Sequence, residues 1–196
     1  MDNTPRIETA RLVLRRFEIG DLPAILKIFG DEAANRFLPW FPLRDLSEAE
    51  AFYRERFAAV YERPQGYAYA ICRKEDGICA GYIHADTDEA HDFGYALASE
   101  WWRQGIASEA AAAVIERVRQ DGLPFLTATH DVNNPRSGSV MRRVGMRYCY
   151  SYREQWQPKD FPVVFRMYQL NLDGQEDRVY RGYWEKYPEH FVESDL

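Results

Sequence analysis

Cysteine is scarce in this chain, with three residues among 196. An odd count without metal-ligand spacing excludes the disulfide framework that holds many small secreted domains together. Cys72 and Cys79 flank a predicted turn at residues 75–77, which brings them close across a hairpin, and Cys149 stands apart. We expect buried, reduced thiols, with a bond between the first two as the alternative.

Histidine is also scarce, and its distribution bears on metal binding. The four residues are scattered and form neither an HExxH motif nor a Cys/His cluster: His84, His91, His130 and His190. A structural or catalytic zinc site requires several such ligands at short, regular spacing. The sequence therefore predicts no metal.

Basic charge is in deficit, with 25 Lys and Arg against 31 Asp and Glu, a net charge of -6 and a pI near 5.3. Binding to a phosphate backbone needs a basic face, so nucleic acid is not an expected partner. Long apolar runs are missing as well, since none reaches the roughly 18 residues of a membrane span, and the first residues lack a signal-like apolar segment. We expect a cytoplasmic protein without a membrane partner.

The composition that remains is that of a globular protein, with 46% hydrophobic and 29% charged residues. A chain of this length supports one sizeable core, and no repeat or Pro/Gly/Ser-rich linker divides it. We therefore predict one domain over residues 1–196, with a core at about 7–170 and a C-terminal helical extension at about 173–196.

Hydrophobic spacing predicts the order β-α-α-β-β-β-α-β-α-β-α. The runs YAYAIC and CAGYIHA around Asp76-Gly77 indicate a hairpin, and residues 105–120 carry apolar side chains at helical spacing. Ser47 and Glu50 resemble a capping box for a second helix, and a stripe of aromatic residues from 180 to 187 predicts the C-terminal helix. Strands outnumber the crossovers of a doubly wound sheet, so we predict an α+β fold with a mixed, mostly antiparallel sheet flanked by helices.

Two strand-to-loop-to-helix segments carry the chemical signal. In the first, GYALASEWWRQGIASEA, Gly105 and Ala107 allow a ligand to approach the amides at a helix N-terminus, a site that suits pyrophosphate, and Arg103 adds a charged contact. In the second, NNPRSGSVMRRVGM, Asn134 is a helix cap and Ser137 a first-turn residue. Taken singly, each segment is equally explained as an ordinary tight connection.

Two earlier segments complete the pattern: ETARLVLRRFEIGDLPAI and DGICAGYI. The four segments, in their order along the chain, resemble the GNAT superfamily of acetyl-CoA-dependent N-acetyltransferases. The branch with ribosomal-protein-alanine N-acetyltransferases is the most similar. The resemblance covers roughly residues 7–170 and implies a GNAT-like fold. It also implies an enzyme that moves an acetyl group from acetyl-CoA, its co-substrate, to a primary amine by direct attack in a ternary complex.

The resemblance assigns cofactor contacts to a splayed strand, to the loop and helix start that follow, and to the second helix start. These residues are Leu97, Ala98, Ser99, Arg103, Gln104, Gly105, Ile106, Ala107, Ser108, Asn134 and Ser137. Trp102 departs from the family signature at its first position, where Gln or Arg is usual, and this removes one polar contact.

For catalysis, the resemblance makes Asp92 the base that accepts the proton of the amine, with His91, Glu100 and His130 as alternatives. Met141 stands where many family members have a tyrosine acid, so the acid toward the departing thiolate stays open among Ser137, Tyr150 and water.

The acceptor is expected to be a small-molecule or peptide amine. Its walls should come from residues 35–46, the second helix and residues 148–160, including Phe37, Trp40, Phe41, Tyr53 and Trp156. Two other interpretations stay open: a non-catalytic acyl-CoA sensor, and an interaction protein whose aromatic C-terminal helix forms a homodimer.

Overall fold

Two antiparallel sheets form the centre of the computed structural model, which describes residues 2–194. The strands are β1 (Ile7–Glu8), β2 (Leu12–Arg15), β3 (Tyr67–Arg73), β4 (Cys79–Ala85), β5 (Phe93–Leu97), β6 (Phe125–Asp131), β7 (Arg147–Trp156), β8 (Phe161–Asn171) and β9 (His190–Phe191). The helices are α1 (Leu22–Gly30), α2 (Glu32–Asn35), α3 (Leu46–Tyr53), α4 (Ala59–Tyr61), α5 (Ile106–Gln120), α6 (Pro135–Arg143) and α7 (Gly182–Lys186). A π-helical turn, Arg54–Ala58, joins α3 to α4.

The first sheet has the strand order β1-β2-β3-β4-β5, and the second has the order β6-β8-β7-β9. Helix α5 covers one face of the first sheet with a buried stripe that includes Ala110, Val114 and Val118. Helices α1 and α3 cover the opposite face, where Phe29 packs against Tyr82 of β4. Burial on both faces explains why β3 and β4 are almost continuously apolar.

The predicted α+β class, with antiparallel sheets and flanking helices, is confirmed. Three strands were missed. Strands β1 and β9 have two residues each, and β7 lies largely within residues 148–160, which were expected to form a wall, and pairs with β8. The predicted C-terminal helix is present but short, since α7 has five residues and is followed by β9. The last two residues of the predicted extension, 195 and 196, and the first residue of the predicted domain lie outside the described residues.

Helix caps follow the sequence only in part. The predicted box of Ser47 and Glu50 is wrong, because α3 is capped two residues earlier by Asp45, whose carboxylate accepts the amide of Glu48 at 2.9 Å. The predicted cap of α6 is confirmed, since Asn134 Oδ1 accepts the amide of Ser137 at 3.4 Å.

The predicted hairpin is confirmed, and it places Cys72 directly opposite Cys79 in the β3–β4 register. Both are buried free thiols, as expected, while Cys149 is free and partly buried. Within residues 2–194, no helix combines the length and the apolarity needed to cross a membrane.

Candidate active site

A cleft opens where the two sheets meet. Strands β5 and β6 run parallel and touch at one bridge, Asp92 to Thr127, where the amide of Thr127 donates to the carbonyl oxygen of His91 at 3.1 Å. Beyond it, in the part of the chain that the structure describes, β5 pairs with β4 alone and β6 with β8 alone. The divergence leaves a cavity of about 1400 Å³ that extends from α5 and α6 to β7 and α7.

The loop before α5 forms the first wall of this cleft. Gly105 caps the helix with a φ of 76°, in the left-handed region that favours glycine. A Cβ at this position would meet only an Arg11 nitrogen at 3.4 Å, so the backbone angle rather than crowding requires glycine. The amides of Ile106, Ala107 and Ser108 lie in the first turn, where no intrahelical carbonyl is available to them. This helix end is suited to an anion.

Arginines reinforce the positive character of this side. Arg103, Arg136 and Arg143 all line the cleft. The guanidinium carbon of Arg136 lies 5.4 Å from the centre of the Trp102 ring, and the Trp102 indole N–H donates to the carbonyl oxygen of Leu97 at 3.0 Å. The tryptophan that departs from the family signature thus joins the end of β5 to the loop and contacts α6.

Most residues predicted to contact the cofactor line the cleft: Leu97, Arg103, Gly105, Ile106, Ala107, Ser108, Asn134 and Ser137. Three others are absent from its lining: Ala98, Ser99 and Gln104. Two of their amides are used within the fold. That of Ala98 donates to the Ala80 carbonyl at 3.0 Å, and that of Ser99 donates to the Asp31 carboxylate at 2.6 Å.

The second wall is α6, and one tyrosine connects it to the first. The Tyr95 hydroxyl donates to the carbonyl oxygen of Ser137 at 2.8 Å, and the Ser137 hydroxyl lies 3.3 Å from the Tyr95 oxygen. Burial raises the pKa of Tyr95, so its hydroxyl keeps its proton at neutral pH. Tyr95 could not be identified from the sequence, because its partner lies 42 residues away.

Three titratable side chains meet near the point where β5 and β6 separate. His84, Asp86 and Asp92 each place one ligand-type atom within 4.8 Å of the others, and His84 Nε2 lies 3.6 Å from Asp92 Oδ2. Burial alone would lower the pKa of His84, but the Asp92 hydrogen bond and the charges of both carboxylates outweigh it, so the pKa is raised. Asp86 is an acid, so burial acts in the opposite direction and is the main reason that its pKa is raised. Asp92 was predicted from the sequence, whereas His84 and Asp86 were not.

Two alternative bases lie elsewhere. Glu100 forms a salt bridge with Lys27 at 2.6 Å, and its side chain is 46% exposed. The ring of His91 packs edge-on against Phe125. Neither Glu100 nor His91 lines the cavity.

His130 does line the cavity. Its Nδ1 lies 2.8 Å from the carbonyl oxygen of Asp131, and burial lowers its pKa, which favours a neutral ring. Met141 is buried at the cavity wall. Tyr150, an alternative acid, donates its hydroxyl to the Tyr180 carbonyl at 2.8 Å and is not part of the lining.

The remaining walls are aromatic and acidic. Of the predicted aromatic residues, Phe37, Trp40 and Trp156 line the cavity, while Phe41 is 60% exposed and Tyr53 lies outside the lining. The lining also includes a stack of three tyrosines: Tyr152, Tyr183 and Tyr187. The last two come from the segment around α7, so this segment completes the cavity.

The fold and cleft can now be compared with known proteins. A family model described as an acetyltransferase (GNAT) domain matches residues 11–147. The uncharacterized N-acetyltransferase YoaA of Bacillus subtilis is 26% identical over 171 residues, which cover 85% of this chain and 96% of YoaA. The L-methionine sulfoximine/L-methionine sulfone acetyltransferase of Pseudomonas aeruginosa is 27% identical over 169 residues, 82% of this chain and 94% of that protein.

Solved structures support the same fold. An acetyltransferase from Salmonella typhimurium that modifies the N-terminal serine of ribosomal protein L7/L12 superposes with a TM-score of 0.74 at 18% identity, covering 85% of this chain and 99% of that one. The ribosomal L7/L12 alpha-N-protein acetyltransferase RimL, solved with coenzyme A, gives a TM-score of 0.75 at 20% identity over 87% of this chain and 100% of that one.

Proposed function

The chain belongs to the GNAT acetyltransferase family, and we propose that it transfers the acetyl group of acetyl-CoA to a primary amine by direct attack in a ternary complex. The observation that carries this proposal is the cleft between β5 and β6, with the N-terminus of α5 at one wall and Asp92 at its base.

The residues of the cleft fit acetyl-CoA. Its pyrophosphate requires unpaired amides and positive charge, and the first turn of α5 together with Arg103, Arg136 and Arg143 supplies both. Gly105, in its left-handed conformation, keeps the approach to these amides free of a side chain. When bound, acetyl-CoA supplies an activated thioester carbonyl, so the protein needs no nucleophile of its own.

The amine must lose a proton to attack, because an alkylamine has a pKa of about 10 in water. Asp92 is the base in this proposal, acting directly or through water. His84 holds the Asp92 carboxylate from the neighbouring strand, and Asp86 adds negative charge that attracts the protonated amine. These groups lie at the closed end of the splay, beside the bridge between β5 and β6, and the acceptor and the acetyl group would meet next to them.

The departing thiolate must gain a proton. Ser137 is the proposed donor, and Tyr95 supports it because the two hydroxyls lie 3.3 Å apart. When Ser137 gives its proton to the sulfur, the Tyr95 hydroxyl stabilises the oxygen left behind, and water returns to Ser137 the proton that Asp92 took from the amine. The arrangement also explains how Met141 can replace the usual tyrosine, since the hydroxyls come from a strand and from the previous turn of α6.

Known relatives indicate which class of acceptor to consider. The Pseudomonas relative acetylates L-methionine sulfoximine and L-methionine sulfone, and the Salmonella structure belongs to an enzyme that modifies a protein N-terminus. Each of these acceptors carries an amino group. We therefore propose a small-molecule or peptide amine as the acceptor.

The test is thermal unfolding with and without millimolar acetyl-CoA, because a ligand bound to the native state raises the midpoint. Wild type should show a rise that Ala107→Leu abolishes. Ala112→Leu is the matched control, since Ala112 is exposed on the same helix and outside the cavity lining. Release of free CoA with an amine panel then measures turnover. No rise in wild type would refute the cofactor assignment, and a rise without turnover would identify an acyl-CoA sensor.

A further inference from the structure

Carboxylates dominate the acceptor side of the cavity. Besides Glu55, which pairs with Arg56, four line it: Asp86, Asp88, Asp92 and Glu154. Among residues 2–194, none of the four forms a salt bridge with Lys or Arg, and the charged partner of Asp92 is His84. Of the two arginines on this side, Arg56 already pairs with Glu55 at 3.5 Å, which leaves Arg63. Negative charge therefore exceeds positive charge around the acceptor.

The two halves of the cavity consequently differ in sign. The arginines of the cofactor side, Arg103, Arg136 and Arg143, match the phosphates of CoA. An acceptor that carries a carboxylate would meet the carboxylates of the other half, whereas a cation would neutralise them. Carboxylates that share one cavity repel one another, so a site of this composition is complementary to a positively charged ligand.

Glu154 is the carboxylate best placed to bind a second charge. Along β7, Tyr152 and Trp156 are buried while Arg153 and Gln155 are exposed, so the alternation of a strand directs Glu154 inward with the buried pair. It belongs to the second sheet, whereas the predicted base, Asp92, directly precedes β5 of the first sheet.

The segment around α7 positions this carboxylate. Burial and the neighbouring Glu154 carboxylate both raise the pKa of Tyr187, so its hydroxyl stays protonated beside Glu154. The ring of Tyr187 stacks on Tyr152 at a centroid distance of 4.7 Å and an interplanar angle of 7°, and Tyr183 stacks on the same residue at 5.3 Å. The stack holds Glu154 in one place, as a specificity group requires.

The two cations nearest to Glu154 along the chain, Arg153 and Lys159, are already bound elsewhere. Arg153 is exposed and pairs with Glu189 at 3.2 Å. The Lys159 ammonium donates to the carbonyl oxygen of Asn35 at 2.6 Å and to the Asn35 side-chain oxygen at 2.9 Å, and it lies 5.9 Å from the centre of the Trp156 ring. Glu154 therefore remains available to a ligand.

We infer that the acceptor is an aliphatic diamine, an inference that rests on the proposed function. One amino group lies beside Asp92, and Glu154 binds the second, which is an ammonium ion. The reacting nitrogen forms a C–N bond to the acetyl carbon as the C–S bond breaks. The proton of that nitrogen passes to Asp92, and a proton from the Ser137 hydroxyl ends on the CoA sulfur. Water then carries the proton from Asp92 to Ser137, so both side chains return to their starting state. The second ammonium keeps its proton throughout.

The experiment compares α,ω-diamines with monoamines of the same carbon number, for example 1,4-diaminobutane with butylamine and 1,6-diaminohexane with hexylamine. CoA release is measured at saturating acetyl-CoA, and an α-amino acid is included. The best diamine should exceed its matched monoamine at least tenfold in kcat/KM, mainly through KM, because a charge-assisted contact typically contributes a factor of about 10 to 100.

Two variants test the role of Glu154. Glu154→Gln should bring the diamine-to-monoamine ratio close to one, and Tyr187→Phe, which keeps the stacked ring, should lower the ratio by a smaller factor. Glu62→Gln is the control, because it makes the same change in net charge at an exposed residue outside the cavity lining and should keep the ratio.

The outcomes separate this inference from the proposed function. Equal kcat/KM for diamines and matched monoamines, or a preference for the α-amino acid, would overturn the diamine assignment and leave amine acetylation intact. A diamine preference that survives Glu154→Gln would overturn the role of Glu154. Absence of turnover with every amine, despite an acetyl-CoA-dependent rise in melting temperature, would overturn both proposals.

Discussion

His84 and Asp92 face each other across the β4–β5 pair, with Nε2 of the imidazole 3.6 Å from Oδ2 of the carboxylate. The residue opposite His84 in the register is Gly94, and a Cβ there would lie 2.3 Å from His84 Cε1. The ring therefore occupies space that only glycine leaves open. The imidazole also stacks parallel to the Tyr82 ring, at a centroid distance of 5.9 Å. Sheet register, rather than sequence proximity, brings the acid and the imidazole together.

The first prediction concerns Gly94→Ala. The added methyl group should displace the His84 ring and so release Asp92, and kcat should fall about tenfold to a hundredfold because a misplacement of about 1 Å can have this effect. The rise in melting temperature with acetyl-CoA should persist, because the pyrophosphate loop is untouched. Gly20→Ala is the control, since nothing lies within 4 Å of its added Cβ. Equal rates for Gly94→Ala and wild type would show that the position of His84 does not matter.

The second prediction concerns stability and pH. Burial opposes the charge on His84, yet its pKa is raised above the ordinary value of about 6.5 by Asp92 and Asp86. The stabilisation should therefore be fully present below about pH 6.5 and should be lost as the pH rises through the folded-state pKa. His84→Gln should lower the melting temperature more at pH 5.5 than at pH 8.5.

Asp92→Asn serves as the control for this effect. It removes the hydrogen-bonded carboxylate, so His84→Gln introduced in that background should show a smaller difference between the two pH values. A loss of stability that is the same at pH 5.5 and at pH 8.5 would contradict the assigned charge coupling.

The third prediction concerns Asp31, which caps α2 by accepting the amide of Ala34 at 3.0 Å and also accepts the amide of Ser99 at 2.6 Å. Asp31→Ala should lower the free energy of unfolding by about 2–3 kcal/mol, because it removes a cap and leaves the amide of Ser99 unpaired. Asp45→Ala is the matched control. It removes the cap of α3, in which the Asp45 carboxylate accepts the amide of Glu48. The free energy of unfolding, measured with urea at pH 7, should fall by about 1 kcal/mol.

This difference should also depend on pH. Burial by itself would raise the pKa of Asp31, but the hydrogen bonds from Ser99 and Ala34 outweigh it, so the pKa is lowered. The stabilisation is therefore present above the unfolded pKa of about 3.9 and should disappear as the pH falls through the folded value. Equal costs for Asp31→Ala and Asp45→Ala at pH 7 would show that the Ser99 bond adds nothing.

The sequence predicted the parts of the site that depend on local structure. Gly105 could be identified because a helix start needs an unusual backbone angle, and Asn134 because a cap and the following proline have strong local preferences. Strand β7 was missed because its aromatic and charged residues, such as Tyr152 and Glu154, face the cavity instead of a uniform core, which weakens the apolar alternation expected of a strand.

Long-range neighbours could not be predicted. His84 and Asp86 flank the end of β4 and look like ordinary strand and loop residues until the register places them beside Asp92. Tyr183 and Tyr187 had the spacing of a docking helix, and the stripe did not indicate that they face a cavity. Their partner, Tyr152, is 31 to 35 residues earlier, and only the tertiary fold brings the three rings together.

The last prediction tests whether Ser137 and Tyr95 act as one proton-donating pair. Their hydroxyl oxygens are 3.3 Å apart, and Tyr95 holds the carbonyl of Ser137 at 2.8 Å. Ser137→Ala and Tyr95→Phe should each lower kcat by about tenfold to a hundredfold. The double variant should be little worse than either single one, since groups that act as a unit give non-additive losses. Stopped-flow turnover with a good amine measures the four rates, and the melting temperature with acetyl-CoA checks that binding persists.

Additive losses would mean that the two hydroxyls act independently. If Tyr95→Phe lowered stability without changing kcat, its hydroxyl would only join the two walls of the cleft, and Ser137 or water would donate the proton without it.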